Sequence, residues 1–335
     1  MSGYEFYIVI MMLSSLIFAI KNGIIGILEP RVRNILKKAI VTGATGFLGH
    51  ALLKELTIND IFVYALCRKD SKRLSRLNNI KNIEIIKTEL SEHPAAVNLA
   101  AVDINDADVF YHLAWEGQRN NFDKQLKNVG MTLNCIKMAA QSGCKRFICT
   151  GSQAEYGNTD EPITEETRTN PTTAYGACKI ATYYLAADYS KRLNIELTWA
   201  RVFSTYGPND NPNTLISLLL KGLSVNQTFT LQTNGRHIWN FLHEKDAARA
   251  LRLLGWSKQS NTIYNVAGRD SRPLCEFIEE LKMKINPNAK IDYGNELCPV
   301  NMRVSTEKLL CEIGEFENII FGEHLFKAQM EENHI

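Results

Sequence analysis

From residue 36 onward the chain alternates short apolar runs with longer segments whose apolar residues recur at helical spacing. The runs Ala39 to Val41, Phe62 to Cys67, Ile83 to Lys87, Val109 to Leu113, Arg146 to Thr150 and Glu196 to Ala200 predict strands. They are short and apolar, as strands buried on both faces of a sheet should be. Phe47 to Leu56, Gln125 to Ser142 with Gly143 as its stop, and Ala174 to Leu193 predict helices between them. This alternation predicts an α/β fold, a Rossmann-type doubly wound parallel sheet with helices on both faces. Past Pro208 the pattern loosens into loop chemistry at Asn209 to Asn213. A helix near Leu215 to Gly222, a return strand near Trp239 to Leu242 and a helix from Glu244 to Leu254 follow. There is no internal repeat and no low-complexity tract.

The first thirty residues read differently. Phe6 to Ile20 is apolar or small without a charge, and after Lys21 and Asn22 the apolar run resumes from Ile24 to Leu28. Fifteen uninterrupted residues are short for a membrane span, and the 23 residues of 6–28 are long enough but carry a Lys. Arg31, Arg33, Lys37 and Lys38 follow while only Glu5 precedes, so the positive-inside rule would keep the rest of the chain cytoplasmic. The expectation is a hydrophobic segment at 1–30 that tethers a cytoplasmic enzyme to a membrane. The alternative is an upstream translation start, or a segment absent from the working protein.

Composition narrows the field. With 335 residues, 45% of them hydrophobic, the chain can bury a large core. A net charge of +2 with mixed signs gives no electrostatic footprint for nucleic acid. The eight cysteines include no Cys-x-x-Cys and fall mostly inside predicted elements, so they read as buried apolar residues of a reducing compartment. No His-x-x-x-His pair or carboxylate cluster suggests a metal.

Candidate chemistry lies at the ends of the predicted strands. Thr42-Gly43-Ala44-Thr45-Gly46-Phe47-Leu48-Gly49 follows the first strand and opens a helix, which aims backbone amides at a dinucleotide pyrophosphate. Tyr175 and Lys179, four residues apart, share one helix face, where the ammonium favours the phenolate. Tyr-x-x-x-Lys alone is common on solvated helices, and three glycines alone can be an ordinary turn. Order and spacing carry the signal, because Ser152 lies upstream of the Tyr just past a predicted strand.

On these residues the chain resembles the extended short-chain dehydrogenase/reductases, specifically the NAD-dependent epimerase/dehydratase family that works on nucleotide sugars. The resemblance spans Lys38 to Leu310 and includes His112-Leu113-Ala114-Trp115, Asn128, Gly151-Ser152-Gln153-Ala154-Glu155-Tyr156-Gly157 and Tyr206-Gly207-Pro208. It implies a dinucleotide-binding domain over 36–207 and a mainly substrate-binding lobe over 208–335, with 240–267 returning to the sheet. It implies Tyr175 as general acid/base, Lys179 as ribose contact, Ser152 as carbonyl donor and Asn128 as support for the Lys through water. The dinucleotide would lie on Gly43, Thr45, Gly46, Phe47, Leu48, Gly49, Leu113 and Ala114, with Glu89 and Leu90 near the adenine.

Departures from the family pattern refine this. Where an acidic residue normally binds the adenosine ribose, this chain offers Cys67, Arg68 and Lys69, which favours NADP(H) over NAD(H). Gln153 and Ala154 stand where 4,6-dehydratases carry Asp and Glu, so the expected chemistry is 4-epimerisation or 4-ketoreduction. Ser204 replaces an Asn, and Trp239 an Arg that grips diphosphate; Arg236 or Arg303 is the expected substitute. With Gln153 these complete the expected substrate contacts. The Trp239 and Gly151 to Gly157 pattern is similar to the branch that includes CDP-abequose synthase. The expected partner is a nucleoside-diphosphate sugar in surface polysaccharide precursor synthesis, bound by a homodimer. A non-catalytic dinucleotide sensor and a membrane-tethered scaffold are the readings from other classes.

Overall fold

The computed structural model describes residues 37–90, 104, 106–298, 300–317 and 319–323. The apolar N-terminal stretch at 6–28 lies outside them. Seven parallel strands form the central sheet: β1 (Lys38–Thr42), β2 (Phe62–Cys67), β3 (Ile83–Lys87), β4 (Val109–His112), β5 (Arg146–Ser152), β6 (Glu196–Val202) and β11 (Thr262–Val266), in the order β11-β6-β5-β4-β1-β2-β3. The order reverses between β1 and β4, which opens a crevice beyond their carboxyl ends. Apolar layers cover both faces. Leu52, Leu53 and Leu56 of α1 (Phe47–Ile58) pack on one face, and Cys135, Ile136 and Ala139 of α2 (Phe122–Gln141) on the other. Helix α3 (Ala174–Arg192) lies beside α2.

The smaller lobe is built from α4 (Leu215–Ser224), β8 (Phe229–Thr233), α6 (Leu274–Ile285) and β13 (Ile291–Glu296) around Leu219, Phe277, Ile278 and Leu281. The expected return strand at Trp239 to Leu242 is two pieces. Between β7 (Thr205–Tyr206) and α5 (Glu244–Leu254) lie β9 (Ile238–Asn240) and β10 (Leu242–His243). Strand β9 pairs antiparallel with β12 (Ser271–Pro273), and β10 pairs with β7. Neither joins the central sheet. The cause is Asn240, fully buried, whose amide donates to Gly268 O and accepts from Gly268 N at 3.0 Å, turning the backbone away. The sheet is completed by Thr262–Val266, a run too plain in sequence to stand out.

Candidate active site

The glycine turn sits at the switch point. Gly43 has φ +71°, and a Cβ there would lie 2.8 Å from Ala114 N. A Cβ on Gly49 would lie 2.1 Å from Gly43 O, so only hydrogen lets the helix close onto the turn. Gly46 caps α1 without a side-chain acceptor, and the first turn of α1 carries no acidic residue. Unsatisfied amides at a helix N-terminus suit an anion, so this cradle fits the pyrophosphate of a dinucleotide. The chain that would hold it is tied together by Thr42, whose hydroxyl accepts from Leu113 N at 3.2 Å and Ala114 N at 3.3 Å and meets His112 Nδ1 at 2.8 Å. Burial pushes the His112 imidazole down to about 3, with the Lys179 charge adding to the effect, so this His ties strands and does not shuttle protons.

Beyond that turn lies a cleft of about 470 Å³ lined by Ser152, Tyr175 and Lys179, with Leu48 and Leu113 from the dinucleotide side. Each side chain has a local reason for its place. Ser152 ends β5 and caps a short 3-10 turn, Gln153–Glu155, accepting from Ala154 N at 3.2 Å and donating to Gln153 Oε1 at 3.0 Å. Tyr175 stands in the first turn of α3, which is capped by Thr173 accepting from Gly176 N at 3.1 Å. One turn on, Lys179 is buried and donates to Thr150 O at 2.6 Å. Beneath Ser152 a fully buried Glu155 accepts from Ser152 N at 2.8 Å and from Arg201 Nε at 2.8 Å.

The expected substrate contacts divide. Ser152, Gln153, Ser204 and Trp239 line the cleft; Arg236 and Arg303 are exposed and outside its lining. The Arg303 carbonyl accepts from Ile163 N at 2.7 Å beside the Ile163–Val304 bridge, and Arg236 N is held by Asn234 Oδ1 at 3.0 Å. Arg119, which the sequence did not mark, does line the cleft, with its guanidinium carbon 5.3 Å from the Tyr175 ring centroid. Asp210 also lines it, its carboxyl raised by burial and held by Thr214 Oγ1 at 2.9 Å. The indole N–H of Trp239 is buried without a hydrogen-bond partner among the described residues. Asn128 is buried and clasps one residue of the β4–α2 loop: its Oδ1 accepts from Glu116 N at 2.8 Å and its Nδ2 donates to Glu116 O at 2.9 Å. Just past the end of β2, Arg68 is half-exposed and pairs with Glu116 at 2.6 Å. Glu89 is exposed, and Leu90 packs on the second apolar layer. All eight cysteines are free, and no metal-ligand cluster occurs among the described residues.

The chain is similar to known proteins in sequence and in fold. "Protein CapI" of Staphylococcus aureus is 25% identical over 295 residues, 76% of this chain and 86% of that protein. The dTDP-6-deoxy-L-talose 4-dehydrogenase (NAD(+)) of Aggregatibacter actinomycetemcomitans is 26% identical over 258 residues, 75% of this chain and 93% of its own. In fold, the UDP-glucuronic acid 4-epimerase of Bacillus cereus, solved with UDP-glucuronic acid and NAD, superposes with a TM-score of 0.74 at 19% identity, covering 86% of this chain and 96% of that one. The profile of the NAD dependent epimerase/dehydratase family matches residues 39–267. With the glycine cradle, the parallel sheet and this match together, the chain belongs to the NAD-dependent epimerase/dehydratase family, a group of extended short-chain dehydrogenase/reductase enzymes.

Proposed function

We propose that the protein is an NADPH-dependent 4-ketoreductase of a nucleoside-diphosphate sugar, working in surface polysaccharide precursor synthesis. The observation that carries this reading is the convergence of Ser152, Tyr175 and Lys179 on one cleft beside the glycine cradle. When bound, the nicotinamide supplies hydride exchange with a sugar carbon. Ser152 Oγ turns its proton from Gln153 Oε1 to the sugar carbonyl and polarises it. Tyr175 delivers a proton to the same oxygen, and Lys179 holds a cation beside the phenol. Glu155 is committed to Arg201 in the protein interior, Asp210 at the cleft wall is held by Thr214, and Gln153 and Ala154 have no proton to exchange, which disfavours dehydration.

For the dinucleotide, Arg68 matches a 2′-phosphate, and its half-exposed pairing with Glu116 is worth about 1 kcal/mol or less, small beside a bidentate phosphate contact. The same Glu116 favours a second reading, a 4-epimerase retaining NAD, because a carboxylate there suits a ribose hydroxyl. For the substrate, Arg119 replaces Arg236 and Arg303 as the cation offered to an anionic group, and the unpaired Trp239 N–H is a donor for a sugar or phosphate oxygen. Exposed Phe122 and Leu126 on α2, with Tyr184 and Leu185 on α3, support a homodimer through these helices. Residues 6–28 would tether the enzyme to the cytoplasmic face of a membrane; among the described residues no helix is long and apolar enough to span one. Full-length protein should sediment with membranes and a chain starting near Arg33 should stay soluble and active; soluble full-length protein would remove the tether.

The test is stoichiometry with nucleoside-diphosphate 4-keto-sugars. NADPH loss equal to product identifies the reductase, isomerisation without net loss identifies the epimerase, and neither with any 4-keto-sugar or its 4-hydroxy counterpart sinks both.

A further inference from the structure

Lys179 is only 2% exposed, and burying an ammonium is costly unless other groups replace its lost hydration. Among the described residues no carboxylate pairs with it. Its Nζ donates to Thr150 O at 2.6 Å and lies 3.6 Å from the centroid of the Trp115 ring, well inside the range of a cation–π contact. The same indole meets Tyr175 edge-on, with centroids 6.0 Å apart and planes at 88°. One rigid ring therefore touches both members of the pair.

That ring is fixed from behind. Trp115 Nε1 donates to Gln125 Oε1 at 2.7 Å, and Gln125, fully buried, donates to Glu116 O at 3.3 Å and Gln118 O at 3.0 Å. Asn128 clasps the Glu116 backbone from both sides. Two buried amides thus hold a loop whose aromatic side chain reaches the ammonium.

We propose that Trp115 is a positioning residue of the reaction: its π face holds the Lys179 ammonium in register with Tyr175, and Gln125 and Asn128 act through it by fixing the ring and its loop. This rests on the reading of Tyr175 and Lys179 as the working pair. Asn128 then supports Lys179 through an aromatic side chain.

The test has a kinetic arm and a spectroscopic arm. Trp115→Leu should lower kcat by about tenfold to thirtyfold, the range for losing a desolvated cation–π contact, with the sugar KM moving less than about threefold. Trp115→Phe, which keeps a smaller aromatic face, should lose only about threefold. In the dinucleotide-free protein, Lys179→Met should change the tryptophan emission, and the same substitution on a Trp115→Phe background should not. Equal losses in the Leu and Phe variants, or an emission change that persists without Trp115, would overturn the proposal. The emission arm needs neither turnover nor dinucleotide, so it decides the contact even if nucleotide sugars prove not to be substrates. It also decides if Trp115→Leu fails to fold.

Discussion

The ion pair beneath Ser152 makes the sharpest energetic prediction. Glu155 is fully buried, and its carboxylate accepts from Ser152 N at 2.8 Å, Trp199 Nε1 at 3.0 and 3.2 Å, and Arg201 Nε at 2.8 Å. Arg201, also buried, donates onward to the Tyr156 hydroxyl at 2.8 Å, which donates to Asn265 Oδ1 at 2.6 Å. Glu155→Val removes one partner and leaves the guanidinium charge buried, a loss of about 3–5 kcal/mol. In a chain of 335 residues that corresponds to a fall in Tm of roughly 4–7 °C. Adding Arg201→Met removes the stranded charge, and because an apolar pair of similar volume often matches a buried ion pair, the double variant should recover at least half of the loss. It should still turn over about tenfold more slowly, since Ser152 N–H has lost its acceptor and a misplaced donor to the reacting oxygen costs on that order. The assays are thermal unfolding at pH 7 and steady-state kinetics on the single and double variants. A Glu155→Val variant melting within 2 °C of the parent, or single losses that simply add in the double variant, would refute the reasoning.

Other predictions test the site and its surroundings. Tyr175→Phe should abolish turnover while leaving dinucleotide affinity nearly intact by fluorescence titration, and Lys179→Met should damage both; near-normal activity in the Phe variant would remove Tyr175 from the mechanism. The parent should prefer NADPH to NADH, and Arg68→Asp should flatten or reverse the preference in paired kcat/KM measurements; equal use of both by the parent would remove Arg68 as selector. Burial pushes the Glu244 carboxyl from 4.5 up to about 8, so between those values the folded protein holds a proton that the unfolded chain has lost. Stability from this group therefore falls as pH rises through that window. Glu244→Gln should match the parent below pH 4.5 and exceed it by on the order of a few kcal/mol at pH 8, read by thermal melts across pH. A difference independent of pH would show that Glu244 is charged in the fold.

Local pattern carried much of the fold and part of the site. Phe62–Cys67 and Ile83–Lys87 begin and end where their apolar runs do, and α1 starts at Phe47 because the glycine turn leaves nowhere else to start. Ser152, Tyr175 and Lys179 were legible because their order and spacing belong to the chain itself. What stayed hidden depends on partners far away in sequence. Glu155, in the 3-10 turn after β5, meets Arg201 of β6, 46 positions apart, and no periodicity reports that. The apolar run around Trp239 predicts one strand, whereas the buried Asn240 amide is held by Gly268 and the run forms two pieces, Ile238–Asn240 and Leu242–His243. Arg119 sits in an exposed loop with no regular spacing; the backbone bond from Tyr175 N to Arg119 O at 3.2 Å is what brings it to the cleft. Arg236 and Arg303 have the right charge for a diphosphate, but both are exposed and lie outside the cleft lining.

The central claim is that the Tyr175 cleft moves hydride between a nicotinamide and a sugar carbon. It is tested most directly by supplying NADPH deuterated at the transferable nicotinamide position together with a nucleoside-diphosphate 4-keto-sugar and weighing the product by mass spectrometry. The account predicts one deuterium on a ring carbon of the sugar for each dinucleotide oxidised, and none in the Tyr175→Phe variant. Oxidation of the dinucleotide without deuterium in the sugar, or undiminished transfer in that variant, would contradict it.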